Sequence, residues 1–511
     1  MKTGAQRVYS MASESRGYPW EQPAAFPPVC CGEAESDVVV IGGGIAGLAA
    51  AARCSQRGYS VTVLEQAAEA EVSADDLVSA LDSRYTKADG ITADPAVFVR
   101  EWESFCGGRA SEELLWLFAR RSGEAMDWLA ELLGADGEVL LSRTGYRGTD
   151  VSNYGCDHLL RSKSGSNLPE HGGALICELL KRELRRCGGS VRYGVRALML
   201  RQAEDGAVTG VAAVTEGGAV KFFPAKRTVV LAAGDILGSD AWMEAFCSTG
   251  KKVRAGAVGG RGRAHTLAYQ AGASFEWPQW AMATRNTAYT PLTLPTLYVN
   301  QQGRRFMNED TWDQAKEVRC RMQPGGDFAW AVFDANYPLD LAKLYEISGL
   351  STPLSNAVNW GEAKPLLEQA LETALENGNA VKADSLAELA AQMGIPADKL
   401  EATVARYNAH AAAGADRDFG KRAELLTAVA RPPFYAAKWG PELTGVYGGI
   451  RVDGAMRVLR ADGTPIPGLR ASGSATAGLF SLQMPPFMDG AGNGQALTWA
   501  LLLADGMEQE G

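Results

Sequence analysis

The sequence predicts an α/β fold, a parallel-sheet dinucleotide-binding domain interrupted by an inserted α+β domain. Three observations carry this. Residues 36–66, SDVVVIGGGIAGLAAAARCSQRGYSVTVLEQ, set a strand, a glycine turn, a helix, a second strand and an acid in order. RTVVLAAGD (227–235) is another apolar strand ending in small residues, and beyond about residue 285 the pattern changes, becoming largely helical over 361–421.

The first segment accounts for itself residue by residue. Val38–Ile41 is a β-branched run suited to a buried parallel strand. Gly42, Gly44 and Gly47 follow at the G-x-G-x-x-G spacing: the first for the tight turn, the second for close approach to a pyrophosphate, the third for helix–strand packing. A helix from Ile45 to about Arg57 then points the amides near Ile45, Ala46 and Gly47 at the phosphates, where its dipole favours negative charge. Gly58 ends it, Tyr59–Leu64 forms the next strand, and Glu65 with the adjoining Gln66 stands at the strand tip, where an acid accepts hydrogen bonds from ribose hydroxyls. The uncharged span Val38–Ala52 is too short, and too rich in glycine, to cross a bilayer.

With 50 basic and 60 acidic residues in 511, the net charge of -10 argues against a nucleic-acid surface and a polybasic membrane patch. Nine cysteines without a C-x-x-C pair read as reduced thiols in a cytoplasmic protein, and four histidines without ligand spacing predict no metal. Residues 1–36 read as a loosely held arm, 94–133 as a helical insertion, and the polar stretch 142–171 as a long loop. A helix is expected over 172–186 and strands over 190–200, 208–215 and 221–231. The expected division is arm 1–36, dinucleotide domain 37–284 and 432–511, and second domain 285–431.

Three further stretches, LYVNQQGRRFMNED (297–310), VYGGIRVDGAMRVLRADGTPIPGLRASGSATAGLF (446–480) and DGAGNGQALTWALLLADG (489–506), complete a pattern over nearly the whole chain after residue 36. It resembles the flavoprotein family of soluble fumarate reductases, urocanate reductases and 3-ketosteroid dehydrogenases. The resemblance implies a Rossmann-like FAD-binding domain with an inserted α+β capping domain for substrate, and noncovalent FAD, since no histidine stands where covalent attachment is expected. It also places Ala197, Ala233, Gly234, Gly473 and Ser474 near the cofactor. A turn at Gly490–Gly494 would open a helix at Gln495, Ala496 and Leu497 and aim amides at the flavin, where negative charge grows on reduction.

The chain departs from the family where fumarate is handled. Asp310, Thr311, Trp312 and Asp313 stand where the proton-donating arginine is expected, SLQMPPFMDGAGNG lacks the carboxylate-clamping arginine, and Thr444 and Gly445 replace paired histidines. The G-G-x-S stretch after the ribose-binding acid is also missing from 65–84. The resemblance therefore implies an oxidoreductase that reduces a carbon–carbon double bond conjugated to a carbonyl in a bulky, largely apolar small molecule (an enone or aryl enoate), and not fumarate. Two alternatives stay open: a ketosteroid-type dehydrogenase running in the oxidative direction, and an FAD-containing electron-relay or structural subunit of a complex. The catalytic candidates are Tyr447, as carbonyl donor or as a packed aromatic; Trp312, as pocket wall or core; Asp313; and Tyr146 and Tyr154, which with Arg147 lie in the long loop. Met484 and Phe487 are expected to make the site apolar, and Arg305 with Glu309 to form a structural ion pair. The electron donor or acceptor has no sequence signature.

Overall fold

Val38, Val39, Val40 and Ile41 are all 3% exposed or less, as a strand covered on both faces requires. In the computed structural model, which describes residues 17–22, 25–68, 76–142, 146–250, 253–255, 260–348 and 357–510, Ser36–Ile41 is a central strand. Val61–Leu64 and the end of Val220–Leu231 flank it in parallel, with Val38 opposite both Val61 and Thr228. Ser190–Arg192 and Pro465–Ala471 extend the sheet on either side, and Arg457–Leu459 closes one edge antiparallel. The beginning of Val220–Leu231 diverges to pair with Val208–Thr215, which pairs in turn with Val195–Gln202. The strand expected over 190–200 is therefore two strands, broken where Gly194 takes a φ of +66°.

Ile45–Gln56 packs against Gly172–Arg186 and Ala491–Gln509, and the expected helical insertion forms Pro95–Phe105 and Glu112–Leu133. The expected loop 142–171 hides a strand. Asp157–Ser162 lies between Leu77–Ser79 and Gly137–Ser142, burying Leu159 and Leu160 despite its polar surroundings. Nor is the described part of the arm loose: Trp20 is 3% exposed and stacks on Trp242 at 3.8 Å between ring centroids, and Cys31–Gly32 pairs with Val220–Leu231. Residues 1–16 lie outside the described residues.

The second sheet is antiparallel, in the order Leu297–Val299, Ala329–Phe333, Phe434–Trp439, Ala380–Ala383. Leu389, Met393, Leu400, Val404 and Tyr407, at helical spacing on Leu386–Met393 and Ala397–Ala413, cover one face of it; Leu367 and Leu371 of Trp360–Glu376 cover the other. Because Phe434–Trp439 pairs with Ala329–Phe333, a boundary at residue 432 would cut ahead of a strand of this sheet, and we place it after Trp439. Between the two sheets, Ala281–Arg285 and Arg254–Ala255 flank Glu442–Tyr447.

Two glycines of the fingerprint make opposite demands. A Cβ on Gly47 would lie 1.9 Å from the Gly42 carbonyl oxygen, whereas one on Gly44 meets nothing within 4 Å. Gly47→Ala is expected to destabilise the protein by about 2–3 kcal/mol. Gly44→Ala should leave the melting temperature of the cofactor-free protein unchanged while weakening dinucleotide binding. Thermal unfolding with and without ligand checks both.

Candidate active site

One cavity of about 870 Å³ spans the carboxyl ends of the parallel strands and reaches the second sheet's side of the molecule. Of the residues expected at the cofactor, it brings together Gly42, Gly44, Ile45, Ala46, Glu65, Gln66, Ala197, Ala233, Gly234, Gly473, Ser474 and Ala496 on its wall. The Glu65 carboxylate, 8% exposed, accepts from the Gly43 amide at 2.6 Å and from the Ala67 amide at 2.8 Å, so the glycine loop itself fixes the acid's position. Gly47 is absent from the wall because it is spent on the contact with Gly42.

The closing helix starts earlier than expected. It runs Ala491–Gln509, so Gly494, Gln495 and Leu497 lie inside it rather than at its mouth, and none of the three lines the cavity. Gln495 and Leu497 are fully buried, and Gly494 abuts the Ser79 carbonyl. The first turn, with Gly492 and Asn493 on the wall, presents its amide end instead.

Sequence reading missed several residues. Asp235, next to the expected Ala233 and Gly234, accepts from the amides of Val446 (2.8 Å), Gly260 (2.6 Å) and Leu237 (3.3 Å), tying the cofactor-side strand to Glu442–Tyr447; burial pushes its carboxyl up to about 6. Arg196, Arg261, Arg263 and Arg285 also line the cavity. Burial and the charge of Arg196 pull Arg263 below its usual range, which sets these two together beside Ala197. Arg285 ends the strand Ala281–Arg285, whose other end pairs with Tyr447. Four residues of extended chain separate them by roughly 13 Å. An arginine in MATRN carries no local signal of this, because the strand was not legible.

Of the catalytic candidates, Tyr447, Trp312, Asp313 and Tyr146 share the wall with Met484, Pro485 and Pro486. Trp312 contacts Tyr146 and Phe105 edge-on, at 6.0 and 5.6 Å between ring centroids. Tyr447 approaches the closing helix so nearly that a Cβ on Gly492 would fall 2.2 Å from its hydroxyl. Tyr146 donates to Asp150 at 3.0 Å and to the Asp310 carbonyl at 3.3 Å, and burial raises its phenol above the usual range. Tyr154 and Phe487 are not on the wall. Both are buried, in an aromatic cluster with Phe98 and Trp102, and Tyr154 donates to Glu101 at 2.5 Å. Arg147 likewise turns away, its amide donating to the Ser348 carbonyl at 3.0 Å.

Two titratable side chains hold the glycines that follow Tyr447, a half-buried Glu276 and a buried His265. Glu276 accepts from the Gly449 amide at 3.2 Å, and His265 bonds the Gly448 carbonyl at 3.0 Å. Burial pushes the Glu276 carboxyl up to about 8, although part of the residue reaches the surface, and pulls His265 down to about 4.

The wall suits an extended dinucleotide. Gly44 leaves its cradle open, the Glu65 carboxylate lies at the tip of the second strand, alanines offer flat apolar contact, and two helix N-termini face the cavity. Fold and site together define a nucleotide-binding flavoprotein of the oxidoreductase class. The chain belongs to the FAD binding domain family, whose model matches residues 37–494, and it is an FAD-dependent oxidoreductase. It is 26% identical over 490 residues to a vinyl phenol reductase of Lactiplantibacillus plantarum, covering 90% of this chain and 94% of that protein. It is 30% identical over 390 residues to a 3-oxosteroid 1-dehydrogenase of Mycobacterium tuberculosis, covering 67% of this chain but 63% of that one. A similar fold is seen in the crystal structure of a 3-ketosteroid-Δ4-(5α)-dehydrogenase from Rhodococcus jostii, with a TM-score of 0.73 and 23% identity over 93% of this chain and 97% of that one. An open flavocytochrome c3 fumarate reductase gives a TM-score of 0.70 at 22% identity, over 94% of this chain and 79% of that one. Among the described residues no helix is long and apolar enough to cross a membrane.

Glu65→Ala is expected to weaken FAD binding by about 1–3 kcal/mol, read by titrating FAD into both apo-proteins; equal dissociation constants would remove Glu65 from the site. Glu276 gives a pH test. Its carboxyl titrates higher in the folded protein than in the unfolded chain, so its contribution to stability is present in acid and is lost as pH rises from about 4.5 to about 8. Glu276→Gln should therefore gain stability relative to the parent between pH 5 and pH 8.5, by up to a few kcal/mol, in denaturant unfolding at the two pH values.

Proposed function

We propose that the enzyme reduces a carbon–carbon double bond conjugated to a carbonyl in a bulky, largely apolar substrate, with aryl enoates favoured. The observation that carries this is the composition of the cavity beyond the nucleotide end. Trp312, Tyr146, Tyr447, Met484, Pro485 and Pro486 make an aromatic and apolar stretch of wall, and Arg285, on the strand that pairs with Tyr447, supplies a cation beside it. A monoanion finds a partner at Arg285. A dianion would need a second cationic partner to offset the desolvation of its other carboxylate, a cost of several kcal/mol.

FAD bound here, once reduced by a separate electron donor, would supply hydride from its isoalloxazine. The chain's own groups do the rest. Trp312 and Met484 hold the substrate's flat body, Arg285 pairs with the carboxylate of an enoate, and the Tyr447 hydroxyl donates to the carbonyl oxygen of an enone or delivers the proton. The vinyl phenol reductase supports an aromatic substrate, since that relative matches over most of both chains. The steroid dehydrogenase relatives, together with two tyrosines on the wall, support as a second reading the reverse reaction beside a ring ketone.

The test is anaerobic reduction of the holoenzyme followed by reoxidation with cinnamates, enones, steroids and fumarate. Rapid reoxidation by cinnamates or enones and almost none by fumarate is expected; efficient fumarate reduction would sink the substrate assignment. Tyr447→Phe should lower kcat by about 10²-fold. Arg285→Met should raise KM for carboxylate substrates by about tenfold or more while sparing uncharged enones.

A further inference from the structure

The fold gives Arg196 and Arg263, both on the cavity wall, no anion of its own to hold. Arg196 follows Val195, whose amide donates to the Glu65 carbonyl at 2.8 Å, so it starts beside the acid that ends the second strand. Arg263 opens the helix Arg263–Gln270, which packs on the strand Val195–Gln202. Gly262 turns the chain into that helix with a φ of +66°, and its amide donates to the Asp235 carbonyl at 3.0 Å, two residues from Ala233. A ligand that runs from Glu65 to Ala233 therefore lies alongside both arginines.

Local energetics oppose this arrangement in the empty cavity. Arg196 is exposed and Arg263 half-buried, and burial together with the charge of Arg196 draws Arg263 below its usual range. A cation in the first turn of a helix also works against the helix dipole. Among the described residues neither guanidinium has an ion pair or a side-chain hydrogen bond. An anion between them reverses the sign, because two guanidiniums and the helix amides then act on the same charge. The cofactor brings such an anion. Glu65 already makes this stretch of wall negative, and the pyrophosphate of FAD adds two charges that the amides near Ile45 offset only in part. Arg261, exposed on the same wall, adds to the positive field.

On the basis of FAD as cofactor, and independently of which substrate is reduced, we propose that Arg196 and Arg263 clasp the FAD pyrophosphate. Their planar donors add charge-assisted, paired hydrogen bonds to those of the glycine loop, so affinity for the adenosine diphosphate half of the cofactor carries a salt dependence.

The experiment titrates the apo-protein with FAD, ADP and adenosine at low and high salt, read by calorimetry. The parent is expected to bind ADP about tenfold or more tighter than adenosine, and to lose ADP and FAD affinity, but not adenosine affinity, as salt rises. Arg196→Met and Arg263→Met should each weaken FAD and ADP by about tenfold while holding adenosine within about threefold, and Arg263→Lys should fall between Arg263→Met and the parent. If Arg263→Met does not fold, Arg196→Met and the parent's own ratio of ADP to adenosine affinity decide. Equal binding of ADP and adenosine by the parent, or variants that lose adenosine as much as ADP, would overturn the proposal. So would unchanged FAD affinity accompanied by a raised KM for cinnamate, an outcome that gives the two arginines to a substrate carboxylate.

Discussion

The structure depends on backbone meeting backbone at the ends of the parallel strands. A side chain on Gly42 would begin 2.3 Å from the Ala232 carbonyl oxygen, and one on Gly47 would begin 1.9 Å from that of Gly42. These contacts bring two strands and the helix Ile45–Gln56 close enough for one dinucleotide to touch all three. Gly42 also takes a φ of +111°, outside the range of other residues, so turn and contact select the same residue. Glu65 completes the arrangement by accepting from the loop's own amide at Gly43, so the acid and the turn hold each other in place.

The same device recurs at the opposite end of the cavity. Gly490 and Gly494 lie against the backbone of Leu77–Ser79, and Gly492 lies against the Tyr447 hydroxyl. A glycine inside a helix costs about 1 kcal/mol relative to alanine. Here that cost permits a strand and a phenol to approach within a side chain's width of the helix mouth. Asp235 then couples the two halves, since one carboxylate takes the amides of Gly260 and Val446 and so fixes the strand bearing Tyr447 relative to the cofactor wall.

What could be read in the sequence follows from the range of the forces involved. The first βαβ unit was legible because turn, dipole and strand periodicity act within thirty residues. The closing helix was recognised but misplaced, because D-G-A-G-N-G reads locally as a turn and only the crossing strand Leu77–Ser79 explains glycines inside a helix. Asp157–Ser162 was missed because its partners lie far off in sequence, and its two leucines give too short an alternation. Tyr154 and Phe487 were assigned to the site by chain position, yet apolar burial against Phe98 and Trp102 claims them. Arg285 and Asp235 were overlooked because what distinguishes them is the cavity they face, a property of the assembled fold.

The signature loop shows why a motif and a catalytic set need not coincide. Arg305 makes paired bonds to Glu309 (2.7 and 2.7 Å) and to Asp416 (2.9 and 2.8 Å), and Lys421 donates to the Tyr407 hydroxyl at 2.7 Å while lying 3.6 Å from Glu309. These side chains are 5% exposed or less, so losing one partner would strand an uncompensated buried charge, whose cost runs to several kcal/mol. None of the four charged groups lines the cavity. What the network fixes is the path of the chain into residues 310–313, reinforced by Arg422, which pairs with Asp310 at 2.5 and 2.9 Å and donates to the Arg147 carbonyl at 3.0 Å. The rigid charges thus belong to the frame, and the residues that line the cavity, Trp312 and Asp313, follow immediately after it. Substrate preference can therefore change at these two positions while the frame that presents them stays the same.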